Sequence, residues 1–109
     1  MADRNGYNPS IISNEPKCFI CETTDNLNRH EIFFGSNRQK SKRAGCWCYL
    51  CTVHHHMGPN SPHQSREIDL QLKRMCQRRW MQKNGRTEED FIREFGKSYL
   101  RDTDETTKP

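Results

Sequence analysis

The first half of the chain contains two short hydrophobic runs, each bounded by residues that favour turns. The first is Glu31-Ile32-Phe33-Phe34, which Gly35 ends, and the second is Cys46-Trp47-Cys48-Tyr49-Leu50, which follows Gly45. Short apolar runs that are rich in aromatic residues and bounded by glycine are typical of β-strands. We therefore predict two short strands, separated by two helical turns over residues 37–44 that Ser36 caps.

The second half of the chain carries the periodicity of α-helices. One apolar stripe has the spacing i, i+4, i+7, i+8 and i+12; it consists of Ile68, Leu72, Met75, Cys76 and Trp80. We predict a helix that Ser65 caps, that runs to Lys83 and that Asn84-Gly85 ends. A shorter helix is expected to begin within residues 51–57, because the residues Gly58-Pro59-Asn60-Ser61-Pro62 break it.

A final helix is predicted after Gly85. Thr87 is suited to cap it, and Asp90 lies three residues later, where a capping box places an acceptor. Its inner face is expected to consist of Phe91, Ile92, Phe95 and Tyr99. Strands in the first half and helices in the second predict a small α+β domain.

The regions outside these elements are polar. Residues 1–15 contain Gly6 and Pro9 and show no periodicity, so we expect a flexible N-terminal arm, with local docking of Ile11 and Ile12 only. Residues 101–109 are polar and slightly acidic, which predicts a disordered tail. The 109 residues fit one domain, which we place at residues 16–100.

The composition is polar for so small a domain. Hydrophobic residues make up 31% and charged residues 29%, and the mean hydropathy is −1.13. Such a core is thin, so disulfides, a metal or a partner must supplement it. The sequence has neither a membrane-spanning run nor an apolar segment after Met1, which favours a cytoplasmic protein. In a reducing compartment the six cysteines are expected to bind metal rather than form disulfides.

Two pairs of metal-type ligands are separated by 29 intervening residues. Cys18 and Cys21 have the spacing C-x2-C, and Cys51 and His54 have the spacing C-x2-H. A two-residue gap lets a tight turn present both ligand atoms to one ion, and structural Zn2+ takes four sulfur or nitrogen ligands. We therefore predict a structural zinc site from these four residues. The alternative is that the cysteines are buried free thiols or a disulfide.

Three further cysteines are assigned to the core. Cys46 and Cys48 alternate on the second predicted strand and so share a face, and Cys76 lies in the helical stripe. The string Cys46-x-Cys48-x2-Cys51 also offers alternative zinc ligands, which the spacing alone does not exclude.

Four of the five histidines lie between positions 54 and 63, beside the second ligand pair. Most histidines of a polar chain are exposed and have no special role, but this clustering favours a second metal site. Neutral imidazole suits a divalent metal, and a site with few protein ligands leaves positions for water and phosphate oxygens. His30, at the head of the first strand, is a candidate general base, because imidazole titrates near neutral pH.

These motifs resemble the HNH nucleases, the ββα-metal or treble-clef class. The resemblance rests on Cys18-x2-Cys21, on Arg29-His30-Glu31-Ile32-Phe33-Phe34-Gly35, and on Gly45-Cys46-Trp47-Cys48-Tyr49-Leu50-Cys51-x2-His54-His55. More narrowly, the chain is similar to small phage-encoded HNH-like proteins related to a RecA-dependent recombination-enhancement nuclease. Their ending resembles Phe91-Ile92-x2-Phe95-Gly96-Lys97-Ser98-Tyr99-Leu100, and the similarity covers about residues 17–100.

The resemblance implies a fold, a mechanism and a site. The fold is a zinc-stabilised treble clef with C-terminal helices. His30 is the general base that activates water against a DNA phosphodiester, and Arg29, or Arg38 nearby, holds the phosphate. His55 and His63 bind a catalytic divalent ion, expected to be Mg2+ or Mn2+, which stabilises the pentacoordinate phosphate and the leaving 3′ oxygen.

The chain departs from the HNH pattern at two places. Cys46 stands where the motif has its middle Asn, which orients the base or its loop. The second zinc pair ends in His rather than Cys, which leaves open whether His54 or His55 binds the zinc.

Basic residues concentrate in two segments, although the whole chain carries only +4. Between Ser65 and Arg86, seven basic residues oppose Glu67 and Asp69, which gives this segment +5. The nucleic-acid contacts predicted from the two segments are Arg38, Lys40, Lys42 and Arg43, and Lys73, Arg74, Arg78 and Arg79. A solvated helix face is the alternative explanation. Nothing in the pattern indicates contacts to the edges of bases, so little sequence specificity is expected.

Together these features predict a metal-dependent DNA endonuclease of HNH type, acting in phage recombination or replication. Its expected partners are DNA and a RecA-type recombinase filament, and the expected compartment is the host cytoplasm. The first alternative is a non-catalytic zinc module that binds nucleic acid or a recombination protein. The second is a structural zinc protein that bridges other proteins.

Overall fold

Two strands, β1 (Leu27–Glu31) and β2 (Trp47–Cys51), form a two-stranded antiparallel sheet. The computed structural model describes residues 3–59 and 61–100, apart from the side chains of residues 56 and 57. In the register, His30 lies opposite Cys48 and Arg29 lies opposite Tyr49. Successive side chains of a strand point to opposite faces, so Arg29 and His30 project from opposite sides of the sheet.

Three α-helices surround the sheet: α1 (Arg38–Arg43), α2 (Arg66–Asn84) and α3 (Glu88–Phe95). A 3-10 turn, Gly35–Asn37, precedes α1, and a π-helical turn, Val53–Met57, follows β2. The described part of the chain is therefore a small α+β structure, as its pattern of elements predicts.

The ends of α2 and α3 agree with the predicted signals. Ser65 caps α2 by accepting a hydrogen bond from the Ile68 N–H, and Gly85 ends the helix with a left-handed φ of 61°. Thr87 and Asp90 form the predicted capping box of α3. These signals act within four residues, which is why the sequence predicts them. Tyr99, which we expected on the inner face of α3, lies beyond the end of that helix at Phe95 and packs against the core from there.

The core lies between one face of the sheet and the inner faces of α2 and α3. Phe33 is its centre, since its ring contacts the rings of Phe91, Phe95 and Tyr99 at centroid distances of 5.3, 4.8 and 5.5 Å. The predicted stripe of α2 faces this core: Leu72 and Cys76 are buried, and Ile68, Met75 and Trp80 pack against it.

The first strand lies four residues earlier than predicted. β1 ends at Glu31, and Ile32 and Phe33 are buried beyond it. Asn28, Arg29 and His30 are polar, so the hydrophobic pattern does not mark them as a strand. They form one because they pair with β2, which lies far along the chain. The apolar run is buried because it contacts the helices, not because it belongs to the ladder.

The cap of α1 also differs from the prediction. Ser36 does not cap the helix; Asn37 precedes it without a side-chain capping bond. The Asn37 side chain instead donates a hydrogen bond of 2.8 Å to the Phe95 carbonyl at the end of α3. A tertiary contact therefore replaces the local cap.

Residues 3–15 pack along the sheet and α1 more extensively than the local docking of Ile11 and Ile12 that we expected. Ser10 is buried and donates a hydrogen bond to the Trp47 carbonyl, whereas the Trp47 indole N–H donates to the Asn8 carbonyl. Ile11 N–H binds the Gly45 carbonyl at 2.9 Å. The predicted tail, residues 101–109, lies outside the described residues. Within residues 3–59 and 61–100, no helix has the length and apolarity needed to cross a membrane.

Candidate metal centres

Three cysteines and one histidine converge where the predicted zinc pairs meet. The ligand atoms of Cys18, Cys21, Cys51 and His54 all lie within 4.8 Å of one another. The Sγ atoms of Cys21 and Cys51 are 3.8 Å apart, and His54 Nδ1 lies 3.8 Å from Cys18 Sγ and 3.2 Å from Cys51 Sγ. A tetrahedral ion with Zn–S bonds near 2.3 Å separates two sulfurs by about 3.8 Å. The four residues therefore can hold a metal ion such as zinc, and we call them the Cys3His cluster.

Local backbone structure presents these ligands. The N–H groups of Ile20 and Cys21 both point at Cys18 Sγ from 3.4 Å, so the C-x2-C segment forms a tight turn around this sulfur. Phe19 N–H donates to the Tyr49 carbonyl, which fastens the turn to β2. Cys51 ends β2, and His54 lies in the π-helical turn that follows.

The electrostatics of Cys18 suit a metal ligand. Burial raises the pKa of this thiol, but hydrogen bonds from the N–H groups of Cys21, Cys51 and Ile20 outweigh burial and lower the pKa to about 6. Cys18 is therefore largely a thiolate at neutral pH, and thiolate is the form that binds zinc.

The other cysteines belong to the core. Cys46, Cys48 and Cys76 have no exposed surface. Burial, with a smaller contribution from the charge of Cys18, raises the pKa of Cys48 to about 12, and burial also raises that of Cys76. Both are neutral thiols at neutral pH, which supports a packing role. All six cysteines are free, so the disulfide alternative is not the arrangement in the structure.

A second cluster consists of three histidines from three separate segments. His30 comes from β1, His55 from the π-helical turn and His63 from the loop before α2, and their ligand nitrogens lie within 4.8 Å of one another. The ring centroids are 5.1 Å apart for His30 and His55, 5.4 Å for His30 and His63, and 5.0 Å for His55 and His63. We call this group the three-histidine cluster.

The cluster is closed on one side and open on the other. His30 and His55 are 1% and 9% exposed, whereas His63 lies on the surface. The Phe34 ring contacts both His30 and His63, at centroid distances of 5.9 and 5.2 Å. Three imidazole nitrogens at this spacing can bind one divalent ion and leave further coordination positions open on the His63 side.

Two adjacent histidines, His54 and His55, belong to different clusters. His54 lies with the cysteines, and His55 lies with His30 and His63. The short π-helical turn directs these adjacent side chains to different clusters.

Arg29 is not placed in the three-histidine cluster. It projects from the opposite face of β1 to His30, where it forms an ion pair of 2.8 Å with Asp3. Its guanidinium lies over the rings of Tyr7 and Trp47, at 4.3 and 5.0 Å from their centroids. This surrounding suits a structural role for Arg29, although Arg29 also lines one cavity together with His55. The alternative, Arg38, lies 3.6 Å from Glu31 and remains exposed.

The eight predicted nucleic-acid residues have different surroundings. Lys73 is not on a free surface, because its side chain is 11% exposed, pairs with Asp69 at 2.8 Å and lies over the Phe34 ring at 4.3 Å. Lys40 and Arg74 donate hydrogen bonds to the carbonyl groups of Glu94 and Tyr99. The exposed members are Arg38, Arg43, Arg78 and Arg79, although Arg79 also donates to the Ile12 carbonyl.

Sequence reasoning missed three basic residues as site candidates. Lys83, Arg86 and Arg93 line one cavity together with Arg43. Lys83 and Arg86 belong to the basic segment 65–86, which was the available signal, but nothing local shows that α1 and α3 face them.

Neither a family model, nor a curated protein, nor a solved structure matches the chain significantly. The HNH interpretation therefore rests on the Cys/His motifs themselves.

Proposed function

We propose that this protein is a metal-dependent DNA endonuclease of HNH type with a zinc-stabilised treble-clef fold. The observation that carries the proposal is the convergence of His30, His55 and His63 beside the Cys3His cluster. A C-x2-C turn, a two-stranded hairpin and a helical turn with the second ligand pair are the parts that a treble clef requires, and they support the fold assignment.

His30 is proposed as the general base. It is held on β1 with its ring against His55 and His63, and it accepts a proton from the attacking water. The water oxygen forms a bond to phosphorus, the bond from phosphorus to the 3′ oxygen breaks, and the leaving oxygen takes a proton from solvent. His55 and His63 are proposed to hold the divalent ion, which when bound supplies stabilisation of the charge on the phosphate.

The donor set bears on the identity of the ion. His55 and His63, which are proposed to hold the ion, both offer nitrogen atoms, and the group that they form with His30 contains no carboxylate. Imidazole suits zinc, nickel, copper and iron, whereas carboxylate and water suit magnesium and manganese. Borderline transition metals are therefore better candidates than the Mg2+ or Mn2+ that the family resemblance implies.

A plasmid-nicking assay tests the proposal. Zinc-loaded protein is incubated with supercoiled plasmid and one added ion at a time, Mg2+, Mn2+, Co2+ or Ni2+, with and without RecA-type filaments. We expect nicking with at least one ion, and a loss of about 100-fold or more in His30→Ala. Gln39→Ala, an exposed residue of α1, is the matched control.

Two outcomes count against the proposal. Nicking that persists in His30→Ala, with one zinc ion per chain retained, rejects the assigned base. Absence of nicking under every condition, with DNA binding intact, favours the alternative function.

That alternative is a zinc module that binds nucleic acid without cleaving it. One observation favours it: Cys46 replaces the motif Asn, has no exposed surface and packs in the core. The position therefore offers no polar side chain to orient a base. Salt-dependent DNA binding without nicking is the expected result for such a module.

A further inference from the structure

A cavity of about 670 Å³ lies away from both histidine-containing clusters. Its walls consist of residues from the N-terminal segment, from the end of α1, from the last turns of α2 and the residues that follow it, and from α3. The side chains that matter for its chemistry are Asn8, Arg43, Trp80, Lys83, Arg86 and Arg93.

The cavity is positively charged. Four of its lining residues are basic and two, Asp90 and Glu94, are acidic. Asp90 already binds the Thr87 N–H and the Arg93 guanidinium. Among the described residues, no carboxylate lies within 4 Å of the side-chain nitrogens of Arg43, Lys83 or Arg86. Three exposed cations thus face the cavity without an ion-pair partner in the described chain.

One wall of the cavity is aromatic and held in place. Trp80 is half-buried, and its ring meets those of Phe91 and Phe95 edge-on at 5.4 and 5.8 Å. Pro9 and Ile11 continue this apolar wall. An immobilised indole beside guanidinium groups is the combination that binds single-stranded nucleic acid, since bases stack on the ring and phosphates pair with the cations.

The N-terminal wall is fastened by a close backbone contact. Gly45 has a φ of 74°, and a Cβ atom at this position would lie 2.3 Å from the Pro9 carbonyl oxygen. Asn8 is held from both sides, because its N–H donates to the Lys42 carbonyl and its side chain donates to the Arg43 carbonyl. The cavity is therefore preformed.

We propose that this cavity binds one nucleotide of a single nucleic-acid strand, with the phosphate at Lys83, Arg86 and Arg43 and the base against Trp80. The volume fits a ligand larger than a bare phosphate, because small-molecule sites measure about 300–1,000 Å³. The planar, multidentate guanidinium groups favour phosphate recognition. An acidic polypeptide would satisfy the charge but would leave the indole without a planar partner.

The cavity lies at the far end of α2 from His63. The 19 residues of α2 span about 27 Å, and His63 precedes the helix whereas Trp80 and Lys83 lie in its last turns. On the proposed nuclease function, the cavity holds the strand about one length of α2 away from the scissile bond.

Binding of a fluorescent 12-nucleotide DNA strand by zinc-loaded protein, without added divalent ion, tests the proposal. The double variant Lys83→Gln/Arg86→Gln is expected to bind about tenfold more weakly and to reduce the slope of log K against log[salt] by about 0.7, the value for one phosphate of a single strand. The control Arg4→Gln/Lys17→Gln removes the same charge from exposed or half-buried positions outside the cavity and is expected to change affinity less than threefold.

The base contact has its own signature. Trp80→Leu is expected to weaken binding about tenfold while leaving the salt slope unchanged, since stacking releases no counterions. If this variant does not fold, the double variant at the exposed Lys83 and Arg86 still tests whether the cavity binds the strand.

Equal affinity of the two double variants overturns the proposal, and so does competition by polyglutamate as effective as competition by unlabelled DNA. Strand binding is measured without a divalent ion and nicking is measured with one, so a failed nuclease assignment and a failed cavity assignment give different results.

Discussion

His54 and His55 are adjacent in the chain, yet each belongs to a different candidate metal centre. The turn that carries them is π-helical, which separates their directions enough to serve two clusters. Removal of one of these two side chains is therefore expected to weaken one candidate metal centre and to leave the other intact.

We predict that His54→Ala weakens zinc binding by about 100-fold or more, since loss of a ligand exceeds the 10–100-fold effect of an outer partner. His55→Ala is expected to keep one tightly bound zinc per chain. Metal analysis after dialysis against a competing chelator measures this difference. Equal zinc loss in both variants would contradict the assignment of His54 to the Cys3His cluster.

A second prediction concerns Arg29, which lies among aromatic rings on the face of the sheet opposite His30. Arg29→Ala is expected to reduce the free energy of unfolding by about 1–2 kcal/mol, because it removes a partly desolvated cation–π contact and the packing of the side-chain stem. Chemical denaturation measures the loss. Divalent-ion binding by the three-histidine cluster should be unchanged, and its disappearance would place Arg29 in the site after all.

At the scale of elements, glycine decides how the N-terminal segment meets α1. Gly45 and Gly85 both have left-handed backbones, with φ values of 74° and 61°. Only Gly45 faces a neighbour, the Pro9 carbonyl, whereas a Cβ atom at Gly85 would meet nothing within 4 Å.

This contrast gives a matched pair of variants. Gly85→Ala is expected to cost about 1 kcal/mol through the left-handed backbone alone. Gly45→Ala should cost at least about 1 kcal/mol more, because the added methyl group also displaces residues 8–11. Denaturation curves of the two variants test this, and equal losses would indicate that the N-terminal segment is not held at Gly45.

For the whole molecule, the core is so thin that a zinc ion bound by the Cys3His cluster would supply a large share of the stability. Structural zinc contributes about 10–16 kcal/mol in apparent binding energy, whereas domains of this size are stable by about 5–15 kcal/mol in total. An ion in the Cys3His cluster would connect the turn at residues 18–21 to the end of β2, and without it the hydrogen bond from Phe19 N–H to the Tyr49 carbonyl remains between them.

We therefore expect a strong chelator, under reducing conditions, to unfold the protein at neutral pH, and added zinc to restore it. Far-UV circular dichroism follows both steps. Retention of the full helical signal after complete zinc removal would show that the aromatic core around Phe33 is sufficient to hold α2 and α3.

Local features of this protein follow from the sequence. The C-x2-C and C-x2-H pairs, the caps at Ser65 and Thr87 and the apolar stripe of α2 all depend on residues at most a few positions apart. Such short-range geometry is the same in any fold, and these predictions agree with the structure, whereas the cap predicted at Ser36 is replaced by the contact of Asn37 with α3.

Long-range features were decided by the tertiary structure. The position of β1 depends on its pairing with β2, and the burial of Lys73 depends on Asp69 and Phe34. The division of His54 and His55 between two clusters, and the meeting of Arg43 with Lys83 and Arg86 around one cavity, likewise join segments far apart in the chain. A hydrophobic pattern indicates which side chains are buried, but the partner of each side chain is selected only when distant segments pack against one another.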